Sequence, residues 1–252
     1  MTNAPASASR VAGLLRDAER AVVLTGAGIS VPSGIPDFRT PGKGMWEKVD
    51  PMKVAHIDAF RRDPDRFWHF YSQRFMTLRD KQPNRAHEIV AELERRGRVR
   101  AVITQNIDRL HRAAGSEDVI EVHGSISYSV CLECGGRFEL EKVVAMIERD
   151  PETAPECTAC VSPLKPDVVL FGELLPDDAL RRAQELAGEA DLMLAIGSSL
   201  EVHPVGGLPA ITLDNGGKLV LITQGPTPYD REAEVKLEGD VVDELSAVLA
   251  AL

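Results

Sequence analysis

The sequence predicts an α/β fold: a parallel sheet with helices on both faces, joined to a smaller second domain. Three observations predict it. Short β-branched runs alternate with helical stretches. Most of those runs are apolar on both faces, as strands covered from two sides must be. Two segments break the alternation, one helical and rich in aromatics, the other carrying all four cysteines.

Strands are expected at 21–25, 99–104, 119–122, 167–171, 192–196 and 219–222, and helices at 11–20, 64–79, 85–96, 177–189 and 241–252. Asn84 and Asp177 read as helix N-caps and Gly97 as a helix stop. The first nine residues look disordered. Segment 41–83 holds Trp46, Phe60, Phe67, Trp68, Phe70, Tyr71 and Phe75; segment 125–163 holds the cysteines and one helix, 140–148. These two insertions are expected to form the small domain over the carboxyl edge of the sheet. The large domain is then discontinuous, built from 10–40, 84–124 and 164–252. The crevice at the carboxyl edge of an open α/β sheet is where ligands bind.

At 252 residues, 44% hydrophobic and 27% charged, the composition is that of a globular protein. No apolar run approaches the roughly 18 residues of a membrane span, so no membrane association is expected. The start, Met1 to Ser7, lacks the basic and apolar regions of a signal peptide. Cytoplasmic residence is therefore expected, where thiols stay reduced. A net charge of −10 argues against a nucleic-acid partner, which needs a basic face.

The cysteines stand as Cys131-Leu132-Glu133-Cys134 and Cys157-Thr158-Ala159-Cys160, with 22 residues between the pairs. Two C-x-x-C knuckles at that spacing suit a four-thiolate zinc site. A redox dithiol or buried structural thiols are the alternatives. Four sulfurs leave no open position for water, so such a zinc is structural and the chemistry lies elsewhere.

The first strand runs into Gly26-Ala27-Gly28-Ile29-Ser30. A glycine-rich strand-to-helix turn lets backbone N–H groups approach a pyrophosphate. Val31 stands where G-x-G-x-x-G has its third glycine, so the turn alone reads as either a nucleotide site or a plain β-α connection. The motifs downstream are more specific: Ser33-Gly34-Ile35-Pro36-Asp37-Phe38-Arg39, then Thr104-Gln105-Asn106-Ile107-Asp108, His123-Gly124 and Gly197-Ser198-Ser199. The last three each follow an expected strand and so converge on the crevice. With the cysteine pairs, and in this order from about Val11 to Leu252, the chain resembles the sirtuins, NAD-dependent protein lysine deacylases with a Rossmann-like domain.

The resemblance implies roles. Gly26, Ala27, Gly28 and Ser30 would hold the NAD diphosphate, and Asp37, Phe38 and Arg39 would begin a cofactor loop, Phe38 shielding the reacting ribose carbon. Gln105, Asn106 and Asp108 would line the nicotinamide–ribose pocket. Gly197, Ser198 and Ser199 would hold ribose and phosphate, and Thr223, Gln224 and Gly225 the adenosine. Many sirtuins carry Asn at the position of Thr223, which is shorter and would weaken that contact. His123 would be the general base, with Asn106 a second catalytic residue; an imidazole near pKa 6.5 accepts a proton at neutral pH. A hydrogen-bonded core histidine is the alternative. His87 and His111 read as packing or surface residues.

The implied chemistry is acyl transfer to ADP-ribose with loss of nicotinamide. The acyl oxygen attacks the anomeric carbon, and His123 then activates a ribose hydroxyl. The products are free lysine and O-acyl-ADP-ribose. The substrate peptide would add as a strand between 167–173 and 201–204, read mainly through its backbone. Val169, Phe171, Gly172 and Val202 would surround the lysine methylenes; ordinary sheet core is the alternative. Tyr71 and Arg74 match a Tyr-x-x-Arg that some sirtuins use to hold a succinyl or malonyl carboxylate. At i and i+3 they share a helix face. The alternative is a packed Tyr71 with a solvated Arg74.

Other functions compete. A non-catalytic NAD or ADP-ribose sensor would need no base, against His123 with Asn106 and Asp108. A dehydrogenase would need the third glycine and an acidic ribose-binding residue. A sirtuin-like mono-ADP-ribosyltransferase shares the whole motif set, and only product analysis separates it.

Overall fold

The computed structural model describes residues 4–37 and 54–252. Phe38, Arg39 and Trp46 lie outside them. Helix α1 (Ala4–Asp17) opens the chain, so residues within the stretch expected to be disordered are helical. The reason is burial: Ala8, Val11 and Leu15 are at most 1% exposed within the core. The helix ends three residues before Arg20 because the Asp191 carboxylate accepts from Glu19 N (2.8 Å) and Arg20 N (3.0 Å), turning the chain into β1 (Ala21–Thr25).

The central sheet has six parallel strands in the order β3-β2-β1-β7-β8-β9. Beyond β1 they are β2 (Ala101–Thr104), β3 (Val119–Glu121), β7 (Leu192–Ile196), β8 (Lys218–Ile222) and β9 (Val235–Leu237). β1, β2 and β7 are buried throughout, which explains their unbroken apolar reading. The order reverses between β1 and β7, the topological switch point where such sheets open a ligand crevice. One face is packed by α1, α4 (Arg85–Arg95) and α9 (Val241–Ala251); the other by α7 (Asp177–Glu189) and α8 (Leu208–Asp214). Asn84 caps α4 as expected, accepting from Ala86 N at 2.8 Å. At α7 the cap position is Pro176, with no side-chain bond; Asp177 and Asp178 sit in the first turn, where the helix dipole favours them.

The remaining elements share a separate core. It holds α2 (Ile57–Arg62), α3 (Pro64–Arg79), α6 (Leu140–Arg149) and an antiparallel sheet of order β5-β4-β6. These strands are β4 (Gly124–Cys131), β5 (Arg137–Glu139) and β6 (Leu164–Val168). Phe60, Phe67, Trp68, Tyr71 and Phe75 form an aromatic cluster there, and Trp68 Nε1 donates to Leu164 O at 2.7 Å. The strand expected at 167–171 is therefore shifted to Leu164–Val168 and pairs with β4, outside the parallel sheet. Pro166 can lie in it because β6 is an edge strand, where a missing N–H costs no ladder bond.

Candidate active site

The crevice is floored by glycine. Gly26 N donates to Ile196 O (3.0 Å) and Gly28 N to Gly197 O (2.8 Å), fastening the end of β1 to the end of β7. A Cβ on Gly26 would lie 2.8 Å from Gly197 O, and one on Gly28 2.7 Å from Gly197 Cα. Close approach of two backbones, rather than a third glycine, fixes this turn. The chain then forms a 3₁₀ turn, Ala27–Ser33.

Ser30 is 1% exposed and its hydroxyl is fully engaged. It donates to Asp108 Oδ2 (2.6 Å) and accepts from Asn106 Nδ2 (3.2 Å); the His87 ring lies 3.3 Å away through Nε2. Because Asn84 N donates to His87 Nδ1 (3.3 Å), the neutral ring carries its proton on Nε2 and donates it to Ser30. Asn106 Nδ2 also donates to Gly26 O (3.0 Å), and Asp108 Oδ1 accepts from Leu110 N (3.0 Å), starting α5 (Leu110–Ala113). Asn106 and Asp108 are thus locked by their own hydrogen bonds at 9% and 6% exposure. Below them, His111 Nε2 lies 2.9 Å from Thr25 Oγ1, which donates to Thr104 Oγ1 (2.8 Å). Burial holds His87 down at about 4 and His111 down at about 3, so both are neutral. The expectation that these histidines pack is met, but as members of a buried polar network rather than on the surface. Their position behind the last residues of β1 and β2, Thr25 and Thr104, has no signature in the sequence.

Gln105 links three walls of the crevice. Its N donates to Thr25 O (3.0 Å), its Nε2 to Ser198 Oγ (2.8 Å), and its carbonyl faces His123 Nδ1 at 3.0 Å. A carbonyl only accepts, so Nδ1 carries the proton and Nε2 carries the lone pair. Burial lowers the His123 pKa below the usual 6.5, opposed by that hydrogen bond. His123 is therefore neutral at pH 7 with a basic nitrogen in fixed orientation.

Ser198 Oγ also accepts from Leu200 N (3.2 Å), and Ser199 follows it at the same strand end. Thr223, Gln224 and Gly225 follow β8, where Thr223 N donates to Leu237 O (3.0 Å) and Gln224 Nε2 to Gly239 O (3.3 Å). Asp37 is half-buried beyond the 3₁₀ turn. Val169 N donates to His123 O (2.9 Å), bringing the 169–172 segment beside the histidine. Phe171 and Val202 are 45% and 41% exposed, so neither is sheet core.

Tyr71 is 7% exposed and stacks on Phe67 with centroids 4.4 Å apart. Burial raises its pKa; Arg74 opposes this and Glu173 adds to it. Burial lowers the Arg74 pKa, opposed by Tyr71 and Asp108. Arg74 is thus half-buried, its Nε shut off from water, and within electrostatic reach of the crevice residue Asp108.

The four cysteine sulfurs lie within 4.8 Å of one another, Cys131 to Cys160 at 3.3 Å and Cys134 to Cys157 at 3.6 Å. Tetrahedral Zn–S bonds of about 2.3 Å would set sulfurs roughly 3.8 Å apart. The donor set and spacing fit one zinc ion with a closed shell. Each knuckle turns alike: Gly135 N donates to Cys131 O and Val161 N to Cys157 O, both at 2.9 Å. Among the described residues no helix is long and apolar enough to cross a membrane.

Residues 26–204 match the model of the Sir2 family. The chain is 46% identical over 228 residues to an NAD-dependent protein deacetylase of Sulfolobus acidocaldarius, covering 90% of this chain and 88% of that one. It is 45% identical to a protein of the same description from Thermotoga maritima, covering 91% and 92%. Among solved structures it resembles Sir2 with a p53 peptide and NAD⁺ (TM-score 0.88, 43% identity, 96% of each chain). It also resembles a Sir2 variant with deacetylated p53 peptide and 3′-O-acetyl-ADP-ribose (TM-score 0.90, 43% identity, 96% of each chain). On a match spanning most of its length, at this identity and with this fold, the chain belongs to the Sir2 family.

Proposed function

We propose that this protein is an NAD-dependent protein lysine deacetylase that transfers the acyl group to ADP-ribose and releases nicotinamide. The observation that carries this reading is His123: a neutral imidazole at the switch-point crevice, its Nδ1 proton committed to Gln105 O and its Nε2 lone pair available to take a proton. NAD supplies the ADP-ribose acceptor. Residues 26–30, Asp37 to Arg39, Gln105, Asn106, Asp108, 197–199 and 223–225 would bind it. Asn106 and Asp108, fixed in advance by Ser30, Gly26 O and Leu110 N, would orient the reacting ribose without reorganisation. An acyl-lysine peptide would enter along Val169, Phe171, Gly172 and Val202; the exposed apolar surface of Phe171 and Val202 suits the methylenes of lysine. Segments 41–83 and 125–163 form the small domain in this reading, held by zinc on Cys131, Cys134, Cys157 and Cys160. Reduced thiolates of this kind suit the cytoplasm.

The test is mass spectrometry of the protein with NAD and an acetyl-lysine peptide. O-acetyl-ADP-ribose and deacetylated peptide are the expected products. ADP-ribosylated protein without deacetylation would make the chain a mono-ADP-ribosyltransferase, and no turnover with tight NAD binding would make it a sensor.

A second activity is favoured by Tyr71 and Arg74. A succinyl or malonyl carboxylate in an acyl tunnel is costly to desolvate unless a cation and a hydroxyl meet it. Tyr71 is buried, Arg74 is half-buried beside it, and each is felt electrostatically by the other near the crevice residue Asp108. Arg74→Ala should lower desuccinylation by about tenfold or more, the loss of a charge-assisted pair, while barely changing deacetylation. Equal losses on both substrates would leave Arg74 a structural role only.

A further inference from the structure

β6 ends at Val168, yet the residues after it are pinned at several points. Val169 N donates to His123 O (2.9 Å), Phe171 N to Ala55 O (2.9 Å), and Phe171 O accepts from Ile57 N (3.0 Å). Inside this curve lies Lys165, whose side chain is only 6% exposed. Lysine is almost never so buried unless paired. Its Nζ donates to Pro166 O (3.1 Å), Val168 O (2.8 Å) and Glu173 Oε2 (2.9 Å). An ammonium has three N–H bonds, so each has an acceptor. Glu173 Oε2 also accepts from Leu170 N (2.9 Å), and Glu173 N donates back to Leu170 O (3.1 Å). One cation and one anion thus close a ring of bonds from 165 to 173, with Val169, Phe171 and Gly172 on its rim.

We propose that Lys165 and Glu173 are positioning residues for the acyl-lysine peptide, their ion pair setting the course of the 169–172 segment along which the peptide adds. This rests on the deacylase reading above. Neither side chain needs to touch the reacting atoms. Without the ammonium, Pro166 O, Val168 O and the Glu173 carboxylate lose their shared donor in a place with little access to water, and the rim can relax. NAD would be held by other strand ends, so the effect should fall on the peptide.

The experiment measures steady-state kinetics with acetyl-lysine peptide and NAD varied separately, NAD affinity by calorimetry, zinc content and melting temperature. Lys165→Met should raise the peptide KM about tenfold, equivalent to ~1.4 kcal/mol, with kcat, zinc content and NAD affinity within about twofold. Lys165→Arg, which keeps the charge, should recover part of the loss. Glu173→Gln keeps an acceptor for Leu170 N and should raise the peptide KM by less than Lys165→Met. The double variant should be no worse than Lys165→Met alone, because the two groups act as one unit. An unchanged peptide KM in Lys165→Met would overturn the proposal. So would a parallel loss of peptide affinity, NAD affinity and zinc, which marks a general structural role. Should Lys165→Met fail to fold, an unchanged peptide KM in Glu173→Gln overturns the proposal by itself. If the unaltered protein forms no O-acetyl-ADP-ribose, the deacylase reading fails instead, and peptide binding followed by fluorescence anisotropy still tests the clamp.

Discussion

Gly124 follows His123 at the corner where the parallel sheet hands over to β4, and a side chain there would be both strained and crowded. Its φ is +74°, and a Cβ there would run into Asp167 O and lie 3.0 Å from Val168 Cα. Gly124→Ala therefore incurs two separate costs. The left-handed conformation costs an alanine about 1–2 kcal/mol. Forcing β4 away from β6 adds an overpacking cost of about 1–3 kcal/mol. The total, about 2–5 kcal/mol, corresponds to a fall in melting temperature of roughly 4–20 °C for a chain of this size. Gly97 supplies the control, since it has φ +67° with nothing within 4 Å of a built Cβ. Gly97→Ala should show only the first cost, roughly 2–8 °C. Activity should separate the two further. The backbone of Asp167 and Val168 leads directly into the segment bonded to His123 O, so Gly124→Ala should also impair deacetylation, and Gly97→Ala should not. Calorimetric melts and single-turnover deacetylation of both variants are the measurement. Equal melting temperatures and equal rates would refute the argument from the Cβ clash.

Three further outcomes are expected. His123→Ala should cut deacetylation by about two orders of magnitude or more while NAD affinity holds; if nicotinamide leaves before the base acts, as proposed, nicotinamide exchange should survive, and a parental deacetylation rate would disprove the assignment. Stability should be full above pH 6.5 and fall as pH drops toward about 4, because the unfolded chain protonates its histidines there while His87, held at about 4, and His111, at about 3, stay neutral in the fold. Urea titrations across that range check this, and a flat profile would contradict it. Replacing any of Cys131, Cys134, Cys157 or Cys160 with serine should lose zinc and activity together through loss of small-domain order, and full activity in a zinc-free protein of unchanged circular dichroism would contradict that.

Legibility in the sequence followed physical signal strength. β1, β7 and β8 are apolar on both faces and were readable to within a residue, as were α3 and α7, whose helical patterns are long. β4 was not, because Gly-Ser-Ile-Ser-Tyr-Ser-Val-Cys is polar at too many positions to read as a strand; it is made one by β5 and β6 on either side. β9 is three residues long and carries no pattern at all. In the site, the strand-end motifs and the cysteine pairs were legible because backbone turns and metals constrain spacing locally. The bonds that hold those residues were not. Ser30 to Asp108, His111 to Thr25 and Lys165 to Glu173 depend on where distant segments or short loops meet, and a single polar residue announces no partner.

The neighbours at the centre of the sheet are far apart along the chain: Ala21 pairs with Leu192. During synthesis at about 5–20 residues per second, β1 leaves the ribosome roughly 10–30 s before its central partner exists. For that interval the edge Ala-Val-Val-Leu-Thr, fully apolar but for its last residue, is paired at best with β2 and open on the other side. An unpaired apolar edge is a template for aggregation. Nascent chains stalled before Leu192 should therefore bind chaperones and be cut by protease within β1, and chains extended far enough for Leu192–Ile196 to leave the ribosome should not. The same adjacency that opens the crevice at the switch point thus leaves β1 without its central partner until the second half of the chain has emerged.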